Sequence, residues 1–325
     1  MAKKKNSKGI TAALAALEKR FGEPVVMRMD EKPKGMRTIS TGRPSLDSEI
    51  GGGYARGGII EIYGEEATGK TGLALDCAAH VQQNDGLVGY IDTEHALDVD
   101  YCEQIGVNIE DLLFSQPDYG EQAFQILRTL LNTGELDLII VDSVAAMIPK
   151  AELEGETGES KMGLHARMMS QGLKQIIGAA SESNTTIIFI NQLRDTFAMY
   201  GAKKKPTGGN SLKFYAKQRF EIKNKGQIKV GEDVIGFKQQ VRAVKNKIAP
   251  PFKIVEEDIV FGKGIDKLGS KIDAFIAEKI IEKKGAWFSY EDTNLAQGLK
   301  KLRILLEENP DLMDVMEKKL KDARK

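Results

Sequence analysis

Gly64-Glu65-Glu66-Ala67-Thr68-Gly69-Lys70-Thr71 decides the reading of this chain. The stretch satisfies G-x-x-x-x-G-K-[ST], the phosphate-binding P-loop. Its flanks are those the motif requires. The apolar run Ile59-Ile-Glu-Ile-Tyr63 enters it as a buried strand, and Leu73-Ala-Leu-Asp-Cys-Ala-Ala-His-Val81 leaves it as a helix. The glycines let backbone N–H groups turn inward around a triphosphate, and the helix N-terminus adds the positive end of a dipole. Gly64, Glu65, Glu66, Ala67, Thr68 and Gly69 then cradle phosphates, Lys70 sits between the β- and γ-phosphates, and the Thr71 hydroxyl holds Mg2+.

Working outward, Leu138-Ile-Ile-Val-Asp142 is a second apolar strand, and it ends in a carboxylate. Alone, such a run is merely a strand end. Paired with an upstream P-loop, it places Asp142 where it orients Mg2+ through water. Ile91-Asp-Thr-Glu-His95 closes another predicted strand, and open α/β sheets bind their ligands at strand C-terminal ends. Glu94 is the candidate base for the attacking water; spacing alone equally allows it to cap the next helix. His95 reads as structural.

The remaining composition is that of an ordinary globular chain. It has 325 residues, a formal net charge of zero and two cysteines, Cys77 and Cys102. Zero net charge gives no global sign of a nucleic-acid partner, so local clusters must supply one. Two isolated cysteines predict reduced thiols and no metal cluster. The basic start, Met1-Ala-Lys-Lys-Lys5, lacks the apolar region of a secretory signal, and no 18-residue apolar span follows. The expectation is a cytoplasmic protein without membrane contact.

Three parts are expected. Residues 1–30 hold a lysine-rich tail, an amphipathic helix through Ile10, Ala13, Leu14, Leu17 and Phe21, and a short strand over Val25–Met29. One helix and one strand cannot bury their own apolar face, so they must dock elsewhere. Residues 31–265 alternate strands and helices, predicting an α/β fold with a mostly parallel central sheet. Its strands fall at Ile59–Tyr63, Leu87–Asp92, Leu138–Asp142, Thr185–Asn191, Gln218–Lys223, Gln239–Lys245 and Lys253–Val260, the later ones antiparallel. Residues 266–325 read as a small α+β domain: a helix over Leu268–Lys283, a strand over Ala286–Tyr290, and two charged helices parted at Asn309-Pro310.

The segment Gln192–Asn210 carries Arg194 and Lys203–Lys205 with Phe197 and Tyr200 interleaved among glycines. Basic and aromatic residues in a loop suit single-stranded nucleic acid. By composition alone, a solvated lysine-rich loop is the better reading. A second glycine-bearing loop, Glu154–Ser160, is acidic and by itself argues against such contact.

Longer words settle the matter. Thr38-Ile-Ser-Thr-Gly42, Asp92-Thr-Glu-His-Ala-Leu-Asp98, Val141-Asp-Ser-Val-Ala-Ala146, Met168-Met-Ser-Gln171, Phe189-Ile-Asn-Gln192, Leu212-Lys-Phe-Tyr215, Val244-Lys-Asn-Lys-Ile-Ala249 and Gly285-Ala-Trp287 are each far more specific than a P-loop. Through them the chain resembles the bacterial RecA recombinases along nearly its whole length. The resemblance implies a RecA-type ATPase core between an N-terminal oligomerisation segment and a C-terminal α+β domain. It implies a DNA-stimulated ATPase that uses ATP and Mg2+, forms filaments with itself on single-stranded DNA, and pairs that strand with homologous duplex. Roles in DNA repair and the SOS response, with a LexA-type repressor and loader proteins as partners, follow from it.

Residue by residue, the resemblance makes Glu94 the catalytic glutamate and Gln192 a sensor of the γ-phosphate. Lys245 and Lys247 become lysines that reach a neighbouring subunit's ATP. Asp98 and Tyr101 fall near the adenine, and Phe214 at a filament interface. The two loops become DNA-binding loops, with Met162 and Phe197 as wedges between bases and Arg167, Ser170, Lys174, Arg194, Gly208, Gly209 and Asn210 along the backbone. This overturns the solvated-loop reading, which composition could not do. Departures also stand out: Glu65 in place of the usual Pro, Gly72 after the motif, His165 in the first loop, and Asn224 and Gln240 where Arg is common at the duplex-binding site. They suit a divergent member, phage-encoded ones included. The weakened duplex site supplies the alternative reading, a nucleotide-gated filament that serves mainly as a signalling scaffold with weak strand exchange.

Overall fold

The structure is a computed structural model and describes residues 8–22, 25–26, 36–155, 163–195, 204–291 and 293–323. The chain divides into two compact units, residues 1–36 and 37–325. In the first, α1 spans Lys8–Phe21, as its apolar spacing predicts. The strand expected over Val25–Met29 lies mostly outside the described residues; Val25 and Val26 have no regular structure.

The second unit opens with a small ladder, β1 (Thr38–Ile39) against β2 (Tyr54–Ala55), around α2 (Pro44–Ile50). The P-loop joins β3 (Ile59–Gly64) to α3 (Lys70–Gln82). There follow β4 (Val88–Asp92), α4 (Val99–Ile105), β5 (Leu112–Ser115), α5 (Gly120–Thr133), β6 (Leu138–Asp142), α6 (Lys150–Leu153), α7 (Leu164–Ser183) and β7 (Thr186–Asp195). Then come β8 (Lys204–Pro206), α8 (Ser211–Tyr215), β9 (Gln218–Val230), β10 (Asp233–Asn246), β11 (Ile254–Val260) and β12 (Gly264–Ile265).

The sheet order is β12-β11-β10-β9-β3-β7-β6-β4-β5, with β8 paired to β7. Strands β9, β3, β7, β6, β4 and β5 run parallel; β10, β11 and β12 pair antiparallel at the other end. That split is the one expected from strands that follow one another without helices. The P-loop strand therefore lies inside the sheet, and its apolar run is buried throughout.

Side chains alternate between the faces. Ile60, Ile62, Tyr90, Ile140 and Ile188 pack with Leu73, Ala74 and Cys77 of α3. Ile59, Ile139, Val141, Ile187 and Phe189 pack with α5 and α7 through Phe124, Leu127, Met169, Leu173 and Ile176. α5 and α7 approach so closely that a Cβ on Gly172 would stand 2.4 Å from the Phe124 ring.

The remaining elements are α9 (Lys267–Ala277), β13 (Glu282–Lys284), β14 (Trp287–Tyr290), β15 (Thr293–Gln297), α10 (Leu299–Glu308) and α11 (Pro310–Ala323), built on a core of Phe275, Phe288, Leu302, Leu306, Met316 and Leu320. Here the sequence reading needs correction. The helix expected over Leu268–Lys283 ends at Ala277, and Glu282–Lys284 is a strand paired with β14. Ile272, Phe275, Ile276 and Ile280 keep helical spacing past the true end, so periodicity overran it. Lys279 turns left-handed at φ 58, and the Ile280 and Ile281 amides both donate to the Phe275 carbonyl. β9 and β10 also outrun the expected strands: β9 continues through a mostly exposed, lysine-bearing stretch that gives little apolar signal, and β10 begins at Asp233, its early residues Val234, Ile235 and Phe237 having been passed over.

Candidate functional site

The P-loop closes on its own backbone. The Thr68 hydroxyl and the Lys70 ammonium both donate to the Glu65 carbonyl, at 2.8 and 2.7 Å. Gly69 is left-handed, φ 79, at the N-cap of α3, a conformation that costs a side-chain-bearing residue. Gly64 is equally constrained: a Cβ there would lie 2.4 Å from the Ile222 carbonyl oxygen of β9. Burial lowers the pKa of the Lys70 ammonium, against the pull of Asp142, Glu94 and Glu66.

Strand register brings the second motif alongside. β6 is two strands from β3, and Thr71 donates its hydroxyl to Asp142 Oδ2 at 2.7 Å. The Tyr90 hydroxyl of β4 donates to the same oxygen at 2.9 Å. Burial, with the Glu94 and Asp92 charges, pushes the Asp142 carboxyl up to about 6 against the lowering effect of the two hydroxyl bonds. The donors beside the P-loop are hard oxygens, which fit Mg2+. Among the described residues no group of three or more His, Cys, Asp and Glu side chains could hold a metal ion. Such a pair suits a cation whose other ligands are phosphate and water.

Glu94 stands just past the end of β4, with its amide 3.3 Å from the Asp142 carbonyl. Its Oε1 accepts from the Ser143 hydroxyl and, at 2.7 Å, from Gln192 Nε2. It does not cap the next helix: the cap of α4 is Asp98, which accepts from the Tyr101 amide at 3.1 Å. Tyr101 reaches back to α3, where a Cβ on Gly72 would stand 2.7 Å from its hydroxyl. The absence of a side chain after the motif thus leaves room for this ring. Gly69, Gly72, Tyr101, Phe237, Ile259 and Gly262 line a cleft beside the P-loop.

From Gln192 the structure continues to the second loop. The neighbouring Asn191 makes the link: Asn191 Nδ2 donates to the Thr207 carbonyl at 3.1 Å, and the Thr207 hydroxyl donates to Asn191 Oδ1 at 2.6 Å. The Thr207 amide donates to the Gln192 carbonyl at 3.2 Å. Gly208 and Gly209 follow with φ of 80 and 76. They turn against the start of α7, where a Cβ on Gly209 would lie 3.0 Å from that of Ala166 and one on Gly208 would meet Met169 and His165. The ends of both loops therefore meet at one place.

Arg167, Ser170 and Lys174 share one exposed face of α7 at helical spacing. Arg194 is exposed on β7 opposite Lys205 of β8, and Asn210 stands at the N-cap of α8. Met162 and Phe197 lie outside the described residues. Glu65 forms an ion pair with Lys204 of the second loop at 2.8 Å, and this hydrogen bond and charge lower its pKa. The extra carboxylate thus faces a cation.

Lys245 and Lys247 are not brought to this P-loop. Lys245 pairs with Arg219 and Arg219 with Glu61, whereas Gly64 lies level with Ile222, toward the other end of the strands. The Lys245 ammonium donates instead to the carbonyls of Lys213 and Phe214 at 3.0 and 3.1 Å, closing α8. Burial and the neighbouring Lys247 and Arg219 charges lower its pKa. Phe214 beside it is 72% exposed. Tyr90, Ser143, Asn191 and Thr207 were missed by the sequence reading. Ser143 and Asn191 each stand next to a chosen residue inside a quoted word, which was their available signal.

Residues 8–266 match the RecA N-terminal domain and residues 269–325 the RecA C-terminal domain. The chain is 49% identical to Protein RecA of Syntrophus aciditrophicus over 319 residues, covering 97% of this chain and 93% of that one. It is 48% identical to Protein RecA of Rhodopseudomonas palustris over 310 residues, 94% of this chain and 89% of that one. The crystal structure of the RadB recombinase superposes with a TM-score of 0.54 at 27% identity, over 70% of this chain and 98% of that one. Identity of this depth along nearly the whole length assigns the fold and its P-loop together: the chain belongs to the RecA family, the DNA-dependent ATPases of homologous recombination and DNA repair.

Proposed function

We propose that the nucleotide site of this chain is completed by a second copy of itself and is read by its DNA loops. Lys70 and the P-loop amides bind the phosphates of ATP. Thr71, with Asp142 through water, holds Mg2+, which would supply charge neutralisation at the transferring phosphoryl group. Glu94 holds the attacking water, and Gln192 reports the γ-phosphate. Asp98 and Tyr101 flank the base. The observation that carries this reading is the unbroken run of hydrogen bonds from Glu94 to Gln192 and, through Asn191 and Thr207, to the glycine turn of the second loop. It supports Arg167, Ser170, Lys174, Arg194, Gly208, Gly209 and Asn210 as backbone contacts to single-stranded DNA, with Met162 and Phe197 as wedges.

Lys245 and Lys247 act on the neighbour's ATP, where a cation stabilises charge on the transferring group. Their distance from the P-loop of their own chain favours this role, and Phe214 beside them is the interface residue. Residues 1–30 are the oligomerisation segment, 31–265 the ATPase core and 266–325 the accessory domain. The working site is the cytoplasm, and a LexA-type repressor and loader proteins are the further partners. Among the described residues no helix is long and apolar enough to cross a membrane.

The test is ATP hydrolysis with and without single-stranded DNA, on the wild type and Lys245→Ala together. The wild type is expected to be strongly stimulated by DNA, and the variant to lose about 100-fold in the stimulated rate. DNA-independent hydrolysis that ignores Lys245 would overturn the reading.

A further inference from the structure

Behind the P-loop, on the carbonyl side of its Thr68 and Gly69 peptides, lies a buried polar cluster. Gln239, on β10, is fully buried. Its Nε2 donates to the carbonyls of Thr68 and Gly69, at 2.5 and 3.1 Å. Its Oε1 accepts from Arg43 Nη1 at 2.5 Å. The orientation of the amide is forced, because a guanidinium only donates and a carbonyl only accepts. Arg43 is itself buried and braced on both sides: Nε donates to Asp76 of α3 at 2.7 Å and Nη1 to Glu257 of β11 at 2.9 Å. Glu257 in turn accepts from the hydroxyls of Ser45 and Ser270. The amide of Gln239 therefore cannot turn away without leaving a buried donor unpaired.

The two carbonyls it holds belong to the peptides that carry the Gly69 and Lys70 N–H groups. A trans peptide points its C=O and N–H in opposite directions. A donor fixed on the carbonyl side therefore turns those two N–H groups to the other side, where a P-loop binds phosphate. Gly69 has no side chain in the way; a Cβ there would lie 2.5 Å from Gln239 Nε2.

We propose that Gln239 is a positioning residue for nucleotide binding, which presets the Gly69 and Lys70 peptides from behind and is itself held by Arg43. The proposal rests on the P-loop reading above. Two full-length variants test it. Gln239→Glu keeps the shape and the Arg43 contact but removes the two N–H donors. Gln239→Met keeps the bulk and removes all hydrogen bonding. The readouts are the ADP dissociation constant in the presence of Mg2+, the KM for ATP and kcat of DNA-stimulated hydrolysis, and the unfolding temperature without nucleotide.

Both variants are expected to weaken ADP binding and raise KM about tenfold, the loss of one to two hydrogen bonds, with kcat at saturating ATP within about threefold. A residue that merely packs would lower the unfolding temperature and leave the ADP constant and KM alone. ADP and KM values within twofold of wild type in both variants would overturn the proposal. Wild-type chain that binds no ADP, or Lys70→Ala that binds it as tightly as wild type, would instead overturn the P-loop reading on which it stands.

Discussion

Ser143 and Gln192 both spend their hydrogen bond on Oε1 of Glu94, and neither uses Oε2. The carboxylate is thereby fixed in rotation and, among the described residues, has one oxygen still to offer, which is the geometry a water-orienting base needs. Glu94→Gln keeps the size and an acceptor for both partners but removes the negative charge. It is expected to bind ATP and DNA as the wild type does and to hydrolyse about 100-fold more slowly or worse. Filter binding beside a hydrolysis assay separates the two effects; hydrolysis at the wild-type rate would remove Glu94 from the mechanism. At this scale the sequence was generous where chemistry is contiguous. The P-loop, Asp142 and Glu94 could be singled out as candidates because strand ends and glycine spacing mark them locally, although spacing left Glu94 evenly divided between base and helix cap. The role of Asp98 as the cap of α4, which took capping away from Glu94, was equally local and was passed over.

Elements tell a different story, because what fixes them comes from far along the chain. Gln239 meets Thr68 across a separation of 171 residues, and Arg43 meets Glu257 across 214. No local pattern announces such partners, and a buried Gln or Arg in a strand or loop carries no periodic signal. The same holds for the junction of the C-terminal domain. Asp266 caps α9 by accepting from the Gly269 amide at 3.1 Å, and Arg303 of α10 grips both of its carboxylate oxygens. The Arg303 hydrogen bond holds the Asp266 carboxyl below the usual aspartate range; partial burial works against it and the Gly269 amide assists.

The sign of the pH effect follows from that direction. A carboxyl depressed in the folded state contributes its full share above its unfolded pKa, near 4, and loses it as pH falls through the lower folded value. Asp266→Ala is expected to cost about 1–2 kcal/mol at neutral pH, through loss of the cap and the partly exposed clamp. The gap to wild type should narrow below about pH 4. Urea unfolding at pH 7 and pH 3 measures both; a gap that does not change with pH would mean that Asp266 acts through shape alone.

At the scale of the whole molecule the two halves of the proposed site lie toward opposite ends of the neighbouring strands β3, β9 and β10. A chain with Lys70→Ala keeps its trans lysines, and a chain with Lys245→Ala keeps its P-loop. Each alone is expected to be nearly inactive. Mixed in equal amounts on single-stranded DNA, about a quarter of head-to-tail contacts would join an intact P-loop to an intact lysine pair, and DNA-stimulated hydrolysis should return to that order. No recovery on mixing would place both functions within one chain. The fold class was legible at this scale because alternating apolar strands and helices leave few architectures. That Lys245 lies along the strands away from its own P-loop was not legible in any local pattern; the resemblance implied it, and the register of β10 on β9 and β3 shows it.

That register has an arithmetic consequence. Under the proposed role of Lys245, chains joined head to tail would make one fewer complete site than there are chains, so a pair would have one and a long run almost as many as its members. Output per chain must then climb steeply over the first few additions and flatten. The two extremities would also differ: one would end in a P-loop awaiting lysines, the other in lysines with nothing to serve. Growth and shedding governed by ATP would therefore carry a direction written into a single strand pairing.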